Sequence, residues 1–326
     1  MKRVETNNLD SLSNCQMMEA ADPSPGGGEV LIQIAACGVG YVDALESLGR
    51  YQVKPQLPHV PGQEISGRIV AIGDEVTGLA IGDRVITQIN GGFAERAVTP
   101  AAAVTKIPDG MDYAQAAGFK INYVTALHAL RDRGNLQSGE ILLVLGAAGG
   151  VGSAAIQVGK CLGAKVIAVA STSEKRAFAQ HMGADHVIDS AAEDYRDQIK
   201  ELCSQKGPNV VLDPVCGPLF EPTFRSLAWG GRHLVVGFVG GPIPSLRANL
   251  TLLKGASLIG VDVRQFLLYE AEKGGRHLQE LLDWVAEGRI SPPVGRQFEF
   301  VEFIQALEYA LTGKGLGKTV IKIADA

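Results

Sequence analysis

A glycine-rich stretch, Gly146–Gly152 (GAAGGVG), lies between a short apolar run and a helix-like segment. A turn in that position can bind phosphate, because the N–H groups at a helix start are free and the helix dipole favours negative charge. Glycine at 149 lets a pyrophosphate approach the backbone, and glycine at 152 lets the helix pack closely on the strand. The stretch departs from G-x-G-x-x-G in having Ala147 at the first glycine position. The alternative is a tight turn that binds nothing; otherwise the predicted phosphate contacts come from Ala148, Gly149, Gly150, Val151 and Gly152.

Side chains after the next apolar run, Lys165–Ala170, indicate which dinucleotide binds. An NAD site places a carboxylate about 20 residues beyond the glycine turn, where it holds the ribose 2′-hydroxyl. This sequence has Ser171, Thr172 and Lys175 in that region. Hydroxyl groups and a cation suit a 2′-phosphate, which a carboxylate would repel. The sequence therefore predicts NADPH as the cofactor, with Arg176 either a further contact or an ordinary solvated helix residue.

Six short apolar runs alternate with helix-like segments in the middle of the chain. Strands buried on both faces are wholly apolar, and strand–helix–strand units form parallel pairs through right-handed crossovers. The pattern predicts an α/β fold with a doubly wound, six-stranded parallel sheet of the Rossmann type. The predicted strands are Ile141–Leu145, Lys165–Ala170, Val187–Asp189, Val210–Asp213, His233–Phe238 and Ser257–Val261.

The flanking regions have a different character, with short strand-like runs cut by glycine and proline. This spacing predicts a compact, partly open β-barrel for about the first 120 residues. Two further strand-like runs, Gln297–Val301 and Lys318–Ile323, would complete that barrel after a long amphipathic helix. The nucleotide domain is thus predicted to be inserted into the barrel domain. The expected boundaries are 1–122 for the first part of the barrel domain, 123–264 for the nucleotide domain and 265–326 for the return.

Charge and composition exclude several classes of function. The net charge of −5 provides no field to hold nucleic acid or an anionic membrane. No stretch reaches the roughly 20 apolar residues of a membrane span, and Met1–Met18 lacks the apolar core of a signal peptide. The five cysteines are scattered without a CxxC pair, which favours free thiols over a disulfide framework or a structural zinc lobe. We therefore expect a cytoplasmic protein whose partner is a small molecule.

Several ordered motifs resemble the medium-chain dehydrogenase/reductase superfamily and, within it, the zinc-free quinone oxidoreductases. The motifs are Pro61–Gly67, Asn122–Ala126, Gly146–Gly152, Gly183–Asp189, Gly230–Arg232, Val236–Phe238 and Gly317–Lys318. The resemblance covers nearly the whole chain. It implies a GroES-like catalytic domain beside the Rossmann domain, with the active site in the cleft between them. It also implies a homodimer formed through the nucleotide domain, and the apolar run Ser257–Val261 at a sheet edge would favour such pairing.

The resemblance also marks three metal-ligand positions of the zinc alcohol dehydrogenases, which use a Cys, a His and a second Cys. Cys37 matches the first ligand, Gln63 stands where the His would be, and Phe119 stands near the third. A catalytic zinc needs three protein ligands, so we expect no metal. Without a Lewis acid the acceptor has to be activated by its own conjugation, as in quinones, enones and enoyl thioesters.

Tyr51 is the candidate catalytic and substrate-binding residue. Related enoyl thioester reductases have a tyrosine at the matching position as the proposed proton donor, and in quinone reductases the matching tyrosine lines the substrate cleft. A phenol with a pKa near 10 can donate to a developing enolate if a cation or dipole steadies it. The alternative is a half-buried loop tyrosine.

The resemblance implies further site residues around the nicotinamide. Asn122 and Tyr123 would contact the substrate, and Thr125 would hydrogen-bond the nicotinamide or its ribose. Gly237 and Phe238 would lie over the nicotinamide ring. Alternatively, Asn122 could cap a helix and Phe238 could belong to the core.

These features predict an NADPH-dependent enzyme that transfers hydride to a quinone or another small conjugated carbonyl. One alternative is an enoyl thioester (enoyl-CoA) reductase, which would need cations for the phosphates of a carrier arm; Arg247 and Arg264 are available. The other is a non-catalytic NADPH-binding protein, such as a sensor or a crystallin-like protein.

Overall fold

The structure of the chain is a computed structural model that describes residues 1–324. It contains two compact units. The first unit is Met1–Lys120 together with the chain from Pro292 onward, and the second unit is Ile121–Ser291. No helix within residues 1–324 is long and apolar enough to cross a membrane.

The first stretch of the first unit consists mainly of strands. They are β1 (Lys2–Glu5), β2 (Gln16–Glu19), β3 (Glu29–Val39), β4 (Glu64–Ile72), β5 (Arg84–Gln88), β6 (Arg96–Pro100) and β7 (Thr105–Lys106). Two helices interrupt them, α1 (Tyr41–Ser47) and α2 (Tyr113–Ala117). Asp112 is the N-cap residue of α2, and its side chain accepts a hydrogen bond from the backbone N–H of Gln115, which satisfies a free donor of the first turn.

The second unit alternates strands and helices, as predicted. Its strands are β8 (Ile141–Val144), β9 (Lys165–Ala170), β10 (His186–Asp189), β11 (Val210–Asp213), β12 (Arg232–Val235) and β13 (Ser257–Gly260). Its helices are α3 (Lys120–Leu127), α4 (Gly150–Cys161), α5 (Ser173–His181), α6 (Tyr195–Leu202), α7 (Phe220–Ser226), α8 (Asn249–Lys254), α9 (Val263–Tyr269) and α10 (Ala271–Ala286). A π-helical turn, His128–Arg133, continues α3.

The sheet of the second unit is parallel throughout, in the order β10-β9-β8-β11-β12-β13. The chain starts in the middle, moves to one edge, and begins again on the other side of β8. This is the predicted doubly wound sheet, which is confirmed. Its switch point lies between β8 and β11, and ligands of such sheets bind beyond the carboxyl ends of the strands there.

The chain returns to the first unit with β14 (Val294–Glu299), α11 (Phe303–Leu311) and β15 (Lys318–Lys322). They complete a seven-stranded sheet in the order β14-β15-β3-β4-β5-β7, with β6 also paired to β3. One edge of the long β3 pairs with two strands, because its first half pairs with β6 and its second half with β15. The return of the chain to complete this sheet was predicted from the sequence.

The second domain boundary differs from the prediction, since the chain rejoins the first unit at Pro292 rather than at 265. Helices α9 and α10 belong to the second unit because they pack on the π-helical turn. The ring of Phe266 stacks on His128 with centroids 3.9 Å apart, and Arg131 pairs with Glu280 at 2.6 Å. The predicted single helix is also two, because the chain changes direction at Glu270, which ends α9 and precedes α10.

Candidate functional site

The glycine loop joins β8 to α4, and it requires glycine at two positions, one for its backbone conformation and one for a close backbone contact. Gly146 has a φ of +58°, which L side chains rarely adopt. A Cβ on Gly152 would lie 2.3 Å from the carbonyl oxygen of Gly146, so a side chain there would push the helix off the loop. A Cβ on Gly149 would meet only that same oxygen, at 3.4 Å, which is an ordinary contact. The fold itself does not require glycine at 149, and the open space suits a ligand that approaches the backbone.

The start of α4 has the features of an anion site. Gly149 is its N-cap residue and contributes no side chain, and the first turn has no acidic residue. The backbone N–H groups of Gly150 and Val151 have no carbonyl within the helix to bond. Asn122 packs against this turn, since a Cβ on Gly150 would lie 2.7 Å from its Nδ2 atom. The structure therefore brings Asn122 together with the predicted phosphate loop.

The predicted 2′-phosphate contacts, Ser171, Thr172 and Lys175, follow β9, which is the neighbour of β8 in the sheet. Ser171 and Thr172 are exposed, and the Oγ1 atom of Thr172 accepts a hydrogen bond from the backbone N–H of Lys175 at 3.2 Å, which starts α5. Arg176 has a structural role instead. Its guanidinium donates to the carbonyl oxygen of Ala170 and pairs with Asp189 on β10.

Tyr123 and Thr125 are buried, with exposed fractions of 2% and 3%. The Tyr123 hydroxyl accepts a hydrogen bond from Nε2 of Gln157 at 2.9 Å, and burial raises the pKa of this phenol. The Thr125 hydroxyl donates to the carbonyl oxygen of Ile121 at 2.6 Å. Both hydroxyls thus have hydrogen-bond partners within the second unit, and the substrate contact of Tyr123 and the cofactor contact of Thr125 stay predictions.

Gly237 and Phe238 follow β12, one strand beyond β11 on the same edge of the sheet. A Cβ on Gly237 would lie 3.1 Å from the carbonyl oxygen of Pro214, in the loop after β11. Phe238 is 38% exposed and is therefore not a core residue. Its ring is accessible near the predicted nicotinamide end of the sheet.

Tyr51 follows the end of α1 in the first unit and is half-buried. The chain leaves the helix at Gly49, whose φ is +60°, and the backbone N–H of Arg50 donates to the carbonyl oxygen of Leu45 at 2.8 Å. The loop that carries Tyr51 is thus hydrogen-bonded to the last turn of α1.

The three residues at the metal-ligand positions are used by the protein itself. Cys37 is fully buried; burial, together with the carboxylates of Asp43 and Glu64, raises the pKa of its thiol. The amide of Gln63 donates to Oε2 of Glu46 at 2.7 Å, and Phe119 is fully buried. Across residues 1–324, no group of three or more His, Cys, Asp or Glu side chains is arranged to hold a metal ion.

Comparisons with known proteins agree with this architecture in both units. The alcohol dehydrogenase GroES-like domain family matches residues 26–109, and the zinc-binding dehydrogenase family matches residues 150–287. The quinone oxidoreductase-like protein 2 homolog of Nematostella vectensis is 36% identical over 300 residues, which are 91% of this chain and 82% of the relative. The quinone oxidoreductase of Homo sapiens is 33% identical over 306 residues, 93% of this chain and 92% of the relative. The chain belongs to the quinone oxidoreductase family of medium-chain dehydrogenases/reductases.

Solved structures match this member of the quinone oxidoreductase family along its whole length. The quinone oxidoreductase of Thermus thermophilus, solved alone and in complex with NADPH, has a TM-score of 0.86 and 30% identity, covering 99% of this chain and 100% of that one. The CurK enoyl reductase has a TM-score of 0.90 and 25% identity, covering 99% of both chains. The predicted GroES-like and Rossmann architecture is confirmed, and the chain is an oxidoreductase.

The first unit contains a buried ionic cluster that was not predicted from the sequence. The Nζ atom of Lys318 lies 3.5 Å from Oε2 of Glu64, and both side chains are buried. Burial raises the pKa of Asp43, while Lys318 lowers it. The available signal was a lysine at the start of the predicted strand Lys318–Ile323, but the sequence does not show which carboxylates the strand meets.

Proposed function

We propose that the chain is a zinc-independent, NADPH-dependent oxidoreductase that transfers hydride to a quinone or another conjugated carbonyl acceptor. The observation that carries this proposal is the pairing of two clusters at the carboxyl ends of the adjacent strands β8 and β9. The glycine loop and helix start follow β8, and hydroxyls with a lysine follow β9. The quinone oxidoreductases named above support the choice of acceptor.

The residues present fit NADPH. The space beside Gly149 and the first-turn N–H groups of α4 would take the pyrophosphate. Ser171, Thr172 and Lys175 would take the 2′-phosphate through hydroxyl donors and a cation. Bound NADPH would supply the hydride. The protein itself binds, orients and keeps water from the reacting groups.

The proposed contacts to the acceptor are Tyr51, Asn122 and Phe238. Tyr51 would donate a hydrogen bond to the acceptor carbonyl, and Phe238 offers an apolar face to a conjugated ring.

Zinc independence is supported by the chemistry of the donor set. A protonated Cys37 thiol, the amide of Gln63 and the ring of Phe119 do not make the three-ligand site that catalytic zinc needs. Metal analysis of purified protein should find well below one zinc per chain. A stoichiometric zinc whose removal abolishes activity would refute this part of the proposal.

An enoyl thioester reductase is the second candidate, favoured by the likeness to CurK enoyl reductase. Arg247 and Arg264 are exposed, and their guanidinium groups lie 3.9 Å from a carboxylate oxygen of Glu221 and of Asp262 respectively, at the outer limit of an ion pair. Such loosely held cations could meet the phosphates of a carrier arm.

We further propose a cytoplasmic homodimer formed through β13. This strand lies at the sheet edge, as the sequence predicted, and an open edge invites pairing with a second copy. Apolar side chains near the edge are exposed, among them Trp229 at 83% and Leu258 at 41%. The free cysteines suit a reducing compartment.

The deciding experiment is an NADPH oxidation assay across quinones, enones and enoyl thioesters, with NADH as the comparison. Quinone turnover with preference for NADPH is expected. Faster reduction of enoyl thioesters would favour the second candidate. NADPH binding without turnover of any acceptor would instead indicate a sensor or crystallin-like protein.

A further inference from the structure

The side chain of Lys318 runs through a channel that three glycines leave open in the first unit. A Cβ on Gly118 would lie 2.8 Å from Cγ of Lys318, and a Cβ on Gly38 would lie 2.9 Å from its Cε. A Cβ on Gly40 would lie 3.5 Å from Nζ. These glycines come from two separate stretches of the chain, so the channel is formed by the tertiary fold around one lysine stem.

The ammonium at the end of this channel is buried among carboxylates. Its Nζ lies 3.5 Å from Oε2 of Glu64, and the two side chains are 10% and 1% exposed. Burial raises the pKa of the Asp43 carboxyl, which the Lys318 ammonium lowers, and the N–H of Gly40 donates to Oδ2 of Asp43 at 2.6 Å. The ammonium therefore pairs with the start of β4 through Glu64 and lies close to Gly40, the N-cap residue of α1, where a Cβ would be 3.5 Å from Nζ and 3.3 Å from Oδ2 of Asp43.

Helix α1 connects this ionic cluster to the loop of Tyr51. Asp43 lies in the first turn of the helix. At the other end, the carbonyl oxygen of Leu45 accepts the N–H of Arg50, the residue before Tyr51. A shift of α1 would therefore move the backbone that carries the Tyr51 side chain.

We propose that Lys318 is a positioning residue for the reaction, one that fixes α1, and through it the Tyr51 loop, by holding the carboxylates of Glu64 and Asp43. The inference rests on the proposed function, in which Tyr51 contacts the acceptor. Removing the ammonium takes one cation away from the buried carboxyl groups of Glu64, which Lys120 also meets, and of Asp43, and loss of a cation beside a buried carboxylate is unfavourable in a medium of low dielectric constant. The start of α1 would then move toward solvent.

The test compares Lys318→Met, which keeps the length of the stem and removes its charge, with Lys322→Met at the exposed end of the same strand. Amide hydrogen exchange over residues 41–51 and steady-state kinetics with 1,4-naphthoquinone are the readouts. We expect Lys318→Met to speed exchange in this segment and to raise the quinone KM about tenfold, a modest misplacement effect. NADPH affinity should not change, and Lys322→Met should leave both readouts as in the wild type.

A double variant, Lys318→Met/Glu64→Gln, separates pairing from simple packing. It also removes the charge of Glu64, so exchange and KM should return part of the way toward wild-type values, while Asp43 still lacks the ammonium. If Lys318→Met does not fold, Gly118→Ala displaces the lysine stem without removing charge, and φ at 118 is an ordinary −105°. The same readouts then apply.

Two results would overturn the inference. One is Lys318→Met behaving like Lys322→Met in both readouts. The other is an even rise in exchange across the first unit with an unchanged quinone KM, which assigns Lys318 to stability alone. If the wild type reduces no quinone, the proposed function fails, while the exchange measurement still decides whether Lys318 fixes α1.

Discussion

The guanidinium of Arg176 pairs with the carboxylate of Asp189, with Nη1 2.8 Å from Oδ2. The same nitrogen donates to the carbonyl oxygen of Ala170 at 3.3 Å. Arg176 thus links the end of β9 to the end of β10, whereas the sequence had offered only a phosphate contact or an ordinary solvated helix residue. Lys175, the preceding residue, is the cation proposed to bind the 2′-phosphate of NADPH.

Lys175→Ala should weaken NADPH binding and leave NADH binding nearly unchanged. Loss of a charge-assisted hydrogen bond costs about 1.5–3 kcal/mol, or roughly ten- to a hundredfold in affinity. Isothermal titration of both cofactors measures the effect. The matched control, Arg176→Ala, should lower the melting temperature but keep the ratio of the two affinities. A wild-type protein that binds NADH more tightly would contradict the prediction.

Gly149→Ala and Gly152→Ala should separate ligand binding from folding. A methyl group at 149 meets only an ordinary contact, so the unfolding free energy should change by no more than about 0.5 kcal/mol while NADPH binding weakens. A methyl group at 152 collides with the backbone of Gly146 and should cost about 1–3 kcal/mol. Denaturant unfolding and cofactor titration check both. Unchanged NADPH affinity in Gly149→Ala would argue against pyrophosphate binding at this loop.

Tyr51→Phe should distinguish the two leading reactions. Hydride addition to a quinone leaves a hydroquinone anion that water can protonate, whereas addition to an enone leaves an enolate that still needs a proton on carbon. A positioned acid contributes about 10²–10⁴-fold in the second case only. Quinone turnover should therefore fall by less than about tenfold, the effect of one hydrogen bond. A severe loss with quinones and enones alike, at unchanged NADPH affinity, would favour the enoyl reductase.

The stability of the second unit should fall as the pH falls from neutral. Burial lowers the pKa of His277 below its unfolded value of about 6.5, although Asp132, at 3.6 Å, opposes this. The unfolded state therefore binds a proton more readily than the folded state does. The free energy of unfolding is highest above about pH 6.5 and falls as the pH drops below that value toward the folded pKa of His277. Melting temperatures between pH 7.5 and 5 measure the slope, which His277→Phe should reduce. Burial lowers the pKa of His59 in the first unit with the same sign, so part of the slope should remain. An unchanged slope in His277→Phe would rule out this residue as a source.

Leu258→Glu should convert the proposed dimer to a monomer, because a charge on the β13 edge opposes pairing with a second copy. Light scattering at micromolar concentration measures the mass. Val301→Glu is the matched control, since Val301 is a 71% exposed apolar residue of the first unit. A wild-type protein that is already monomeric would remove the basis of this prediction.

Local sequence patterns predicted much of the fold. The glycine loop and the strand of Lys165–Ala170 could be read directly, because a buried parallel strand and a phosphate-binding turn each need particular residues within a few positions. The edge position of β13 followed from the order of the strands. The glycine loop and the single strands depend on residues that are near neighbours in the chain.

Contacts between distant residues decided the rest. The sequence motif around Tyr123 predicts a residue of the substrate site. In the structure, Gln157 on helix α4 donates a hydrogen bond to the buried Tyr123 hydroxyl, a contact between distant residues that the motif does not show. The boundary at Pro292 depends on Phe266 packing against the π-helical turn, a contact that no local period reveals. The sequence by itself determined that this chain has a dinucleotide fold and, through the family resemblance, that Gln63 and Phe119 stand at two of the three zinc-ligand positions. Only the tertiary structure, which packs Gly38 and Gly118 around the stem of Lys318, decided where a buried charge could lie, because its stability depends on carboxylates brought there by other strands and helices.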